Sequence, residues 1–396
     1  MSQSSPYPAV SSSSPKGSSS TEFDLLCACA CVEPGPDRVA RIAGWKEFGV
    51  DWNELLRLAE HHGVLPLIAR NLKAHAGGLP SQVEQSLQSA FDGNARRNLW
   101  FASELIRITD QFEKKNIRAI PYKGPTLAES AYGDVALRNF GDLDFLISPV
   151  EFEPAKHALG ELGYQPSSDL SPAVERFWLR NGYERSFDSA AGKYLVELQW
   201  GLLPRFFAVD FRIADLLLRS RSASIGGREV LGLSPEDSLL VLCLHAAKHL
   251  WMRLIWICDI AETMRTQKLD WLIVEARASQ LGILRIVGVS FWMTQRLLDS
   301  SLCEPAQRIV SRDSEVTVLG QEFAARAARG ATYDFESTKY FRLILKLRER
   351  RSDQLRYVWR LMSTPGEGDL ATIHLPEALF PLYRGVRAVR LMRKFF

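Results

Sequence analysis

The chain has 396 residues and a formal net charge of +3, with 46% hydrophobic and 24% charged residues. These values exclude wholesale disorder, a collagen-like repeat and a disulfide-built miniprotein, and so small a charge does not by itself imply a polyanionic partner. The length allows two or three domains and a sizeable core.

The first residues, MSQSSPYPAVSSSSPKGSSS, are rich in Ser and Pro, and a disordered tail is expected over 1–21. They lack the basic start and apolar core of a secretory signal. No uninterrupted apolar run reaches the roughly 18 residues that a membrane helix needs. The nearest, Leu281 to Leu298, is broken by Arg285 and Arg296. A cytoplasmic protein is therefore expected. The sparse cysteines at 27, 29, 31, 243, 258 and 303 contain no CxxC and suit a reducing compartment. Cys27-Ala-Cys29-Ala-Cys31 reads as one side of a buried helix, with a metal or redox role as the alternative.

Residues 22–116 carry helical periodicity, as in Leu55, Leu56 and Leu58 and again in Val64, Leu67 and Ile68. Pro80 and Ser81 open a long helix running to about Lys115, with Leu87, Phe91, Leu99, Phe101 and Ile106 as core candidates. The pattern changes over 117–232. Arg118–Tyr122, Leu143–Ile147, Tyr183–Phe187 and Tyr194–Trp200 read as strands, and Val150–Leu162 as a helix stopped at Gly163. Mixed elements of this kind imply an α+β sheet module. Ser224 to Leu231 reads as a hairpin that closes it.

Ser234-Pro235-Glu236-Asp237 is a strong helix start, and the pattern stays helical afterwards, with 233–330 as one helical region and 331–396 as a basic one. From Lys339 onward thirteen Lys and Arg face five acids, +8, which leaves −5 for the rest. The arginines there, including Arg342, Arg350, Arg356, Arg360, Arg387 and Arg390, read as a solvated face or as a grip on an anionic partner. His75, His157 and His374 have no partners in sequence, and Glu60-His61-His62-Gly63 reads as a helix end.

The stretch from Tyr122 to Ile147 carries the chemistry. A strand ends at Lys123, a turn follows at Gly124-Pro125-Thr126, then a short helix, Arg138, and Asp142-Leu-Asp144 entering an apolar strand. Alternation places Asp142 and Asp144 on one face and turns Leu143 and Phe145 to the core. Two carboxylates that close repel unless a cation sits between them, and Mg²⁺ is the hard ion such ligands suit. The turn after Lys123 offers backbone N–H groups to phosphate, and Lys123 and Arg138 add positive charge. Asp-x-Asp on its own is more often a solvated turn; the surrounding residues raise it above that. Glu197 lies between Val196 and Leu198, a site facing either the carboxylates or plain solvent. Farther on, His245, Lys248, His249 and Met252 share one helix face by spacing. That face reads as packing, as a nucleotide contact, or, less well without HExxH, as a zinc pair.

The run Lys123-Gly124…Tyr132-Gly133-Asp134…Arg138-x-x-Gly141-Asp142-Leu-Asp144-Phe-Leu-Ile resembles the uncharacterised bacterial nucleotidyltransferase family of the DNA polymerase β-like superfamily. The resemblance continues through Val196-Glu197-Leu198-Gln199-Trp200 and His245 to Ile260, over about residues 50–300. A more distant likeness is to abortive-infection toxin nucleotidyltransferases. The family resemblance implies a polymerase β-like mixed sheet flanked by helical regions. It also implies transfer of an NMP from an NTP, ATP being the expected one, to an acceptor hydroxyl. Asp142, Asp144 and Glu197 would hold two Mg²⁺ (or Mn²⁺). Lys123, Gly124, Thr126 and Arg138 would contact the nucleotide; by the toxin likeness, Lys248 would join them and Asp259 would act on the acceptor. The family often has His two residues after its third acid; here Gln199 stands there. Two alternatives remain: a catalytically degenerate scaffold of the same fold, and a toxin-like tRNA nucleotidyltransferase.

Overall fold

The computed structural model describes residues 20–395 apart from 48, 190–194, 333 and 336. The expected tail thus lies almost wholly outside the described residues, as does Tyr194. The matching strand starts at Leu195.

Five short strands form the central sheet: β1 (Ala119–Pro121), β2 (Asp142–Ile147), β3 (Tyr164–Pro166), β4 (Glu184–Ser189) and β5 (Leu195–Gln199). Their order is β1-β2-β5-β4-β3. β2 and β5 run parallel, and every other pair is antiparallel. The mixed sheet and surrounding helices make an α+β fold. β3 and the helix Pro172–Asn181, capped by Ser171, were not legible as elements in the sequence.

One face of the sheet is apolar because alternation along each strand makes it so. Leu143, Phe145, Ile147, Phe187, Val196 and Leu198 are all buried there. Phe101, Leu105, Ile108 and Phe112 of the helix Ser81–Lys114 pack onto this layer, with Phe112 edge-on to Phe145 at 5.4 Å. Each such ring or branched side chain contributes about 1.5–3 kcal/mol on burial. Leu99 does not share in this; it is 61% exposed. It stands two residues from Phe101, about 200° around the helix, on the opposite side.

The opposite face is divided. Ile120, Tyr122 and Leu146 pack against Ile213, Leu216 and Val241. Beside them the same face carries Asp142, Asp144, Glu197 and Gln199. The helix Pro235–Lys248 runs past this edge and starts as its sequence indicates, with Ser234 Oγ accepting from Asp237 N at 3.2 Å.

Helices from both ends of the chain share a second core, in which Phe23, Leu26, Leu55 and Ile68 meet Leu240, Trp251, Ile257 and Phe291. The 34-residue helix Ser81–Lys114 joins the two cores. Val83 and Leu87 sit in the helical core, and Phe101 to Phe112 under the sheet, spanning roughly 50 Å at 1.5 Å per residue. The cysteine run belongs to this helical core. Cys27, Cys29 and Cys31 are buried, and Asn71 Nδ2 donates at 2.8 Å to the Cys29 and Cys31 carbonyls. Burial pushes the Cys27 thiol up to about 12, so it behaves as a small hydrophobe.

The expected hairpin is present as β6 (Arg221–Ile225) and β7 (Arg228–Gly232), turning through Gly226 and Gly227. Both glycines have positive φ, as a two-residue primed turn requires. It forms its own two-stranded sheet rather than closing the larger one.

Candidate active site

The geometry begins at Gly124. Its φ of +53° is left-handed, and a Cβ there would stand 3.3 Å from the Asp142 carbonyl. Only glycine lets the turn leave β1 and lie this close to the start of β2. The turn runs into one α-turn, Gly124–Leu127, which widens into a π-helix, Ala128–Tyr132. Thr126 is buried, and its Oγ1 has no hydrogen-bond partner among the described residues.

The parallel register sets Asp144 directly across from Glu197. Neighbouring strands lie about 4.8 Å apart, so the two carboxylates and Asp142 occupy one patch of the same face. Antiparallel pairing then places Glu184 of β4 opposite Gln199. Glu184 is therefore a fourth carboxylate beside the cluster. It was not legible in the sequence, because strand alternation reveals a face but not which strands are neighbours.

Two side chains sit among these acids. Lys123 Nζ donates to Asp144 Oδ1 at 2.9 Å. Gln199 Nε2 lies 2.8 Å from both Asp144 Oδ1 and Glu197 Oε2, while its Oε1 accepts from Tyr122 OH at 2.6 Å. Asp144 Oδ2 is buried without a partner. Among the described residues, no three His, Cys, Asp or Glu side chains already converge tightly enough to grip a metal ion. Lys123 and Gln199 occupy the space between the carboxylates instead.

The electrostatics are those of crowded like charges. Burial, then the Asp144 charge, raises Asp142 to about 6. Burial and the charges of Glu184, Asp144 and Asp142 hold Glu197 well above the usual carboxylate range. Burial works against the Lys123 ammonium, yet the facing carboxylates, Asp144 first, keep its pKa well above that of a free lysine. A donor set of hard oxygens, one of them orphaned and the set short of positive charge, fits a divalent cation such as Mg²⁺.

Arg138 and Asp259 are brought to each other. Arg138 Nε and Nη2 donate to the two Asp259 oxygens at 2.7 and 2.8 Å, and Tyr132 OH donates to Oδ1 at 2.7 Å. Both partners are buried. This corrects the expectation for Asp259: a buried carboxylate with both oxygens engaged by a guanidinium is a counter-ion, not a group open to an acceptor. Arg138, expected at phosphate, has its fork occupied by the same pair.

The helical Lys248 lies at the start of β4, beside Tyr183. Its Nζ donates to Tyr183 OH at 3.0 Å. Burial and the neighbouring Lys248 and Lys123 charges depress His249 well below the ordinary value, and His245 is held low by burial and the Lys123 charge. The His249 ring stacks on Trp256 at 4.6 Å. Met252 lies beyond the helix, which ends at Lys248. The pair is thus packed and neutral rather than arranged as a metal clamp.

At the basic end most of the arginines are used internally. Arg356 and Arg360 reach Asp210, and Arg387 and Arg390 reach Asp369, while Arg342 is exposed. No described helix is long and apolar enough to cross a membrane.

The chain matches the family model described as "Uncharacterised nucleotidyltransferase" over residues 49–299, more than half of its length. It belongs to that family, which makes it a nucleotidyltransferase in class with a nucleotide as substrate. The matched segment contains every candidate residue from Lys123 to Asp259 and stops short of the basic end. No curated protein matches the chain, and no solved structure does.

Proposed function

We propose that the chain transfers a nucleoside monophosphate from a nucleoside triphosphate, ATP in the first instance, to an acceptor hydroxyl at the Asp142, Asp144 and Glu197 cluster. The observation that carries this reading is the register of β2 and β5, which sets Glu197 across from Asp144 beside an orphaned carboxylate oxygen. The same arrangement, with a glycine turn leading to a strand bearing two carboxylates and a third acid on its neighbour, supports a polymerase β-like reading of the fold.

Asp142, Asp144 and Glu197 are the residues to hold Mg²⁺, whose chemistry when bound is to neutralise developing phosphate charge and favour the deprotonated acceptor oxygen. Lys123, Gly124 and Thr126 border the triphosphate, and Lys248 adds a cation from the covering helix. Arg138 and Asp259 act as a brace, fixing the loop that leads into β2. In the reaction the acceptor oxygen bonds to the α-phosphorus, and the bond from that phosphorus to the α–β bridging oxygen breaks. Pyrophosphate departs with the electron pair, and the acceptor proton passes to a cluster carboxylate and on to solvent. Such a transfer asks the protein mainly for position and charge.

Isothermal titration with ATP, with and without Mg²⁺, followed by incubation with each labelled NTP and cell extract, tests the reading. Metal-dependent binding and label transfer are expected. ATP binding indifferent to the metal, with no transfer, would favour a degenerate scaffold. Label found on tRNA would assign the toxin-like acceptor.

A further inference from the structure

A cavity of about 270 Å³ opens at the far end of the sheet from the Gly124 turn. Its walls hold four arginines, Arg180, Arg205, Arg212 and Arg360, against one carboxylate, Asp210. Arg360 is hydrogen-bonded to Asp210 at 2.6 and 3.1 Å. Arg180 and Arg212 are exposed, and neither has a side-chain hydrogen bond or ion pair among the described residues. The cavity therefore keeps an excess of positive charge that the protein itself does not neutralise.

Its position ties it to the carboxylates in two ways. Tyr183 lines it, and the Tyr183 hydroxyl accepts from Lys248. Leu202 and Phe211 form part of its wall and also pack against the cluster of Ile120, Tyr122 and Leu146. Tyr183 directly precedes Glu184, and Trp200 and Gly201 directly follow Gln199, so the cavity begins where β4 starts and β5 ends. Trp200 lies three residues beyond Glu197, roughly 10 Å along the strand. The glycine turn lies at the other end, beside Asp142.

Phosphoryl transfer places the attacking and leaving oxygens on opposite sides of phosphorus. With the triphosphate at the glycine-turn end, the acceptor must approach from the other. We infer that this arginine-lined cavity is the acceptor seat, and that the acceptor is a phosphate-bearing hydroxyl compound held by Arg180 and Arg212. The inference rests on the nucleotidyltransferase reading for its place in the reaction. The charge of the cavity stands without it. Guanidinium forks match phosphate oxygens in pairs, which is why phosphate is the anion named.

The test uses the full chain and two probes, ribose 5-phosphate and a fluorescein-labelled RNA heptanucleotide with a free 3′-hydroxyl. Binding of each is measured for the wild type and for Arg180→Gln/Arg212→Gln, alongside titration of ATP with Mg²⁺. The expected result is binding of at least one probe, weakened about tenfold or more in the variant, with ATP affinity unchanged within about twofold. Binding of RNA alone supports a polynucleotide end as acceptor, and binding of both supports a single phosphate as sufficient. For RNA, losing two phosphate contacts would also flatten the dependence of log K on log salt by about 1.4. Failure of both probes to bind, or equal binding by the variant, overturns the inference. A parallel fall in ATP affinity also overturns it, since the cavity would then seat the triphosphate. If the wild type ignores Mg²⁺ and ATP while the variant still loses the phosphate probe, the catalytic reading fails and the anion site stands.

Discussion

Two buried acidic sites in this chain are built on opposite principles. Asp237, on the helix that covers the sheet, is fully buried and receives Arg219 at 2.9 and 3.1 Å and Arg277 at 2.9 Å. Both of its oxygens meet guanidinium donors. The sheet cluster gathers Asp142, Asp144, Glu197 and Glu184 around a single ammonium, leaves one Asp144 oxygen orphaned, and pushes Asp142 and Glu197 toward their protonated forms. Matched charge is what a fold keeps for its own architecture. Unmatched charge costs stability, and a site that tolerates it is poised for something that arrives from outside.

The sharpest way to break this contrast is Asp144→Asn. It keeps the shape and removes the charge that faces Lys123. Nucleotide transfer should fall at least about a thousandfold, some 4 kcal/mol in barrier, while thermal denaturation changes little. Retained transfer of labelled nucleotide would remove Asp144 from the reaction. Asp237→Asn should behave in reverse. With one partner of a buried network neutralised, two arginines face each other, and folding stability should drop by about 3 kcal/mol. A denaturant titration reads this, and a stability unchanged within error would mean the network is not structural.

A smaller effect separates the two sites by sign. The Asp142 carboxyl titrates at about 6 in the folded chain against an ordinary 3.8. Between those values the folded state keeps a proton that the unfolded chain has released, so stability falls as pH rises through that window and stays lower above it. Asp142→Asn removes this cost. In EDTA the variant should be about 1–2 kcal/mol more stable than wild type at pH 8, a figure reduced from the full shift because the side chain is partly exposed, and equal to it near pH 4. A variant less stable at pH 8 would show that Asp142 already has its partner in the protein.

Much of the sheet site was legible because its signals are local. Asp142 and Asp144 share a face by alternation, the glycine turn announces itself at Gly124, and Glu197 stands between two apolar residues on a strand. The match of a family to residues 49–299 coincides with the reach of those motifs. What stayed hidden depends on pairing across distance. Glu184 joins the cluster only because β4 lies beside β5, which its own sequence does not say. Asp259 meets Arg138 across 121 residues, and nothing in either neighbourhood marks one as the other's counter-ion. Leu99 was misplaced for a different reason: over a helix of 34 residues, a list of apolar positions does not fix which side the two cores select.

The smallest expected effect tests whether the basic end follows the matched principle. Arg356 lies 3.4 Å from Asp210 and 3.5 Å from Asp353. Asp210 keeps two shorter bonds from Arg360, and Asp353 keeps Arg348 at 3.5 Å. Burial opposes the Arg348 charge, which makes Asp353 its indispensable partner and Arg356 the dispensable one. Arg356 is largely in water, where such a pair is worth less than about 1 kcal/mol. Arg356→Ala should therefore cost no more than about 0.5 kcal/mol in a urea titration and leave transfer untouched. A loss several times larger would mean that Arg356 holds the final helices onto the 205–210 loop, and that the charge of this end is architectural throughout. A loss of transfer without a loss of stability would instead extend the anion-binding surface from Arg360 outward along the helix Arg351–Ser363.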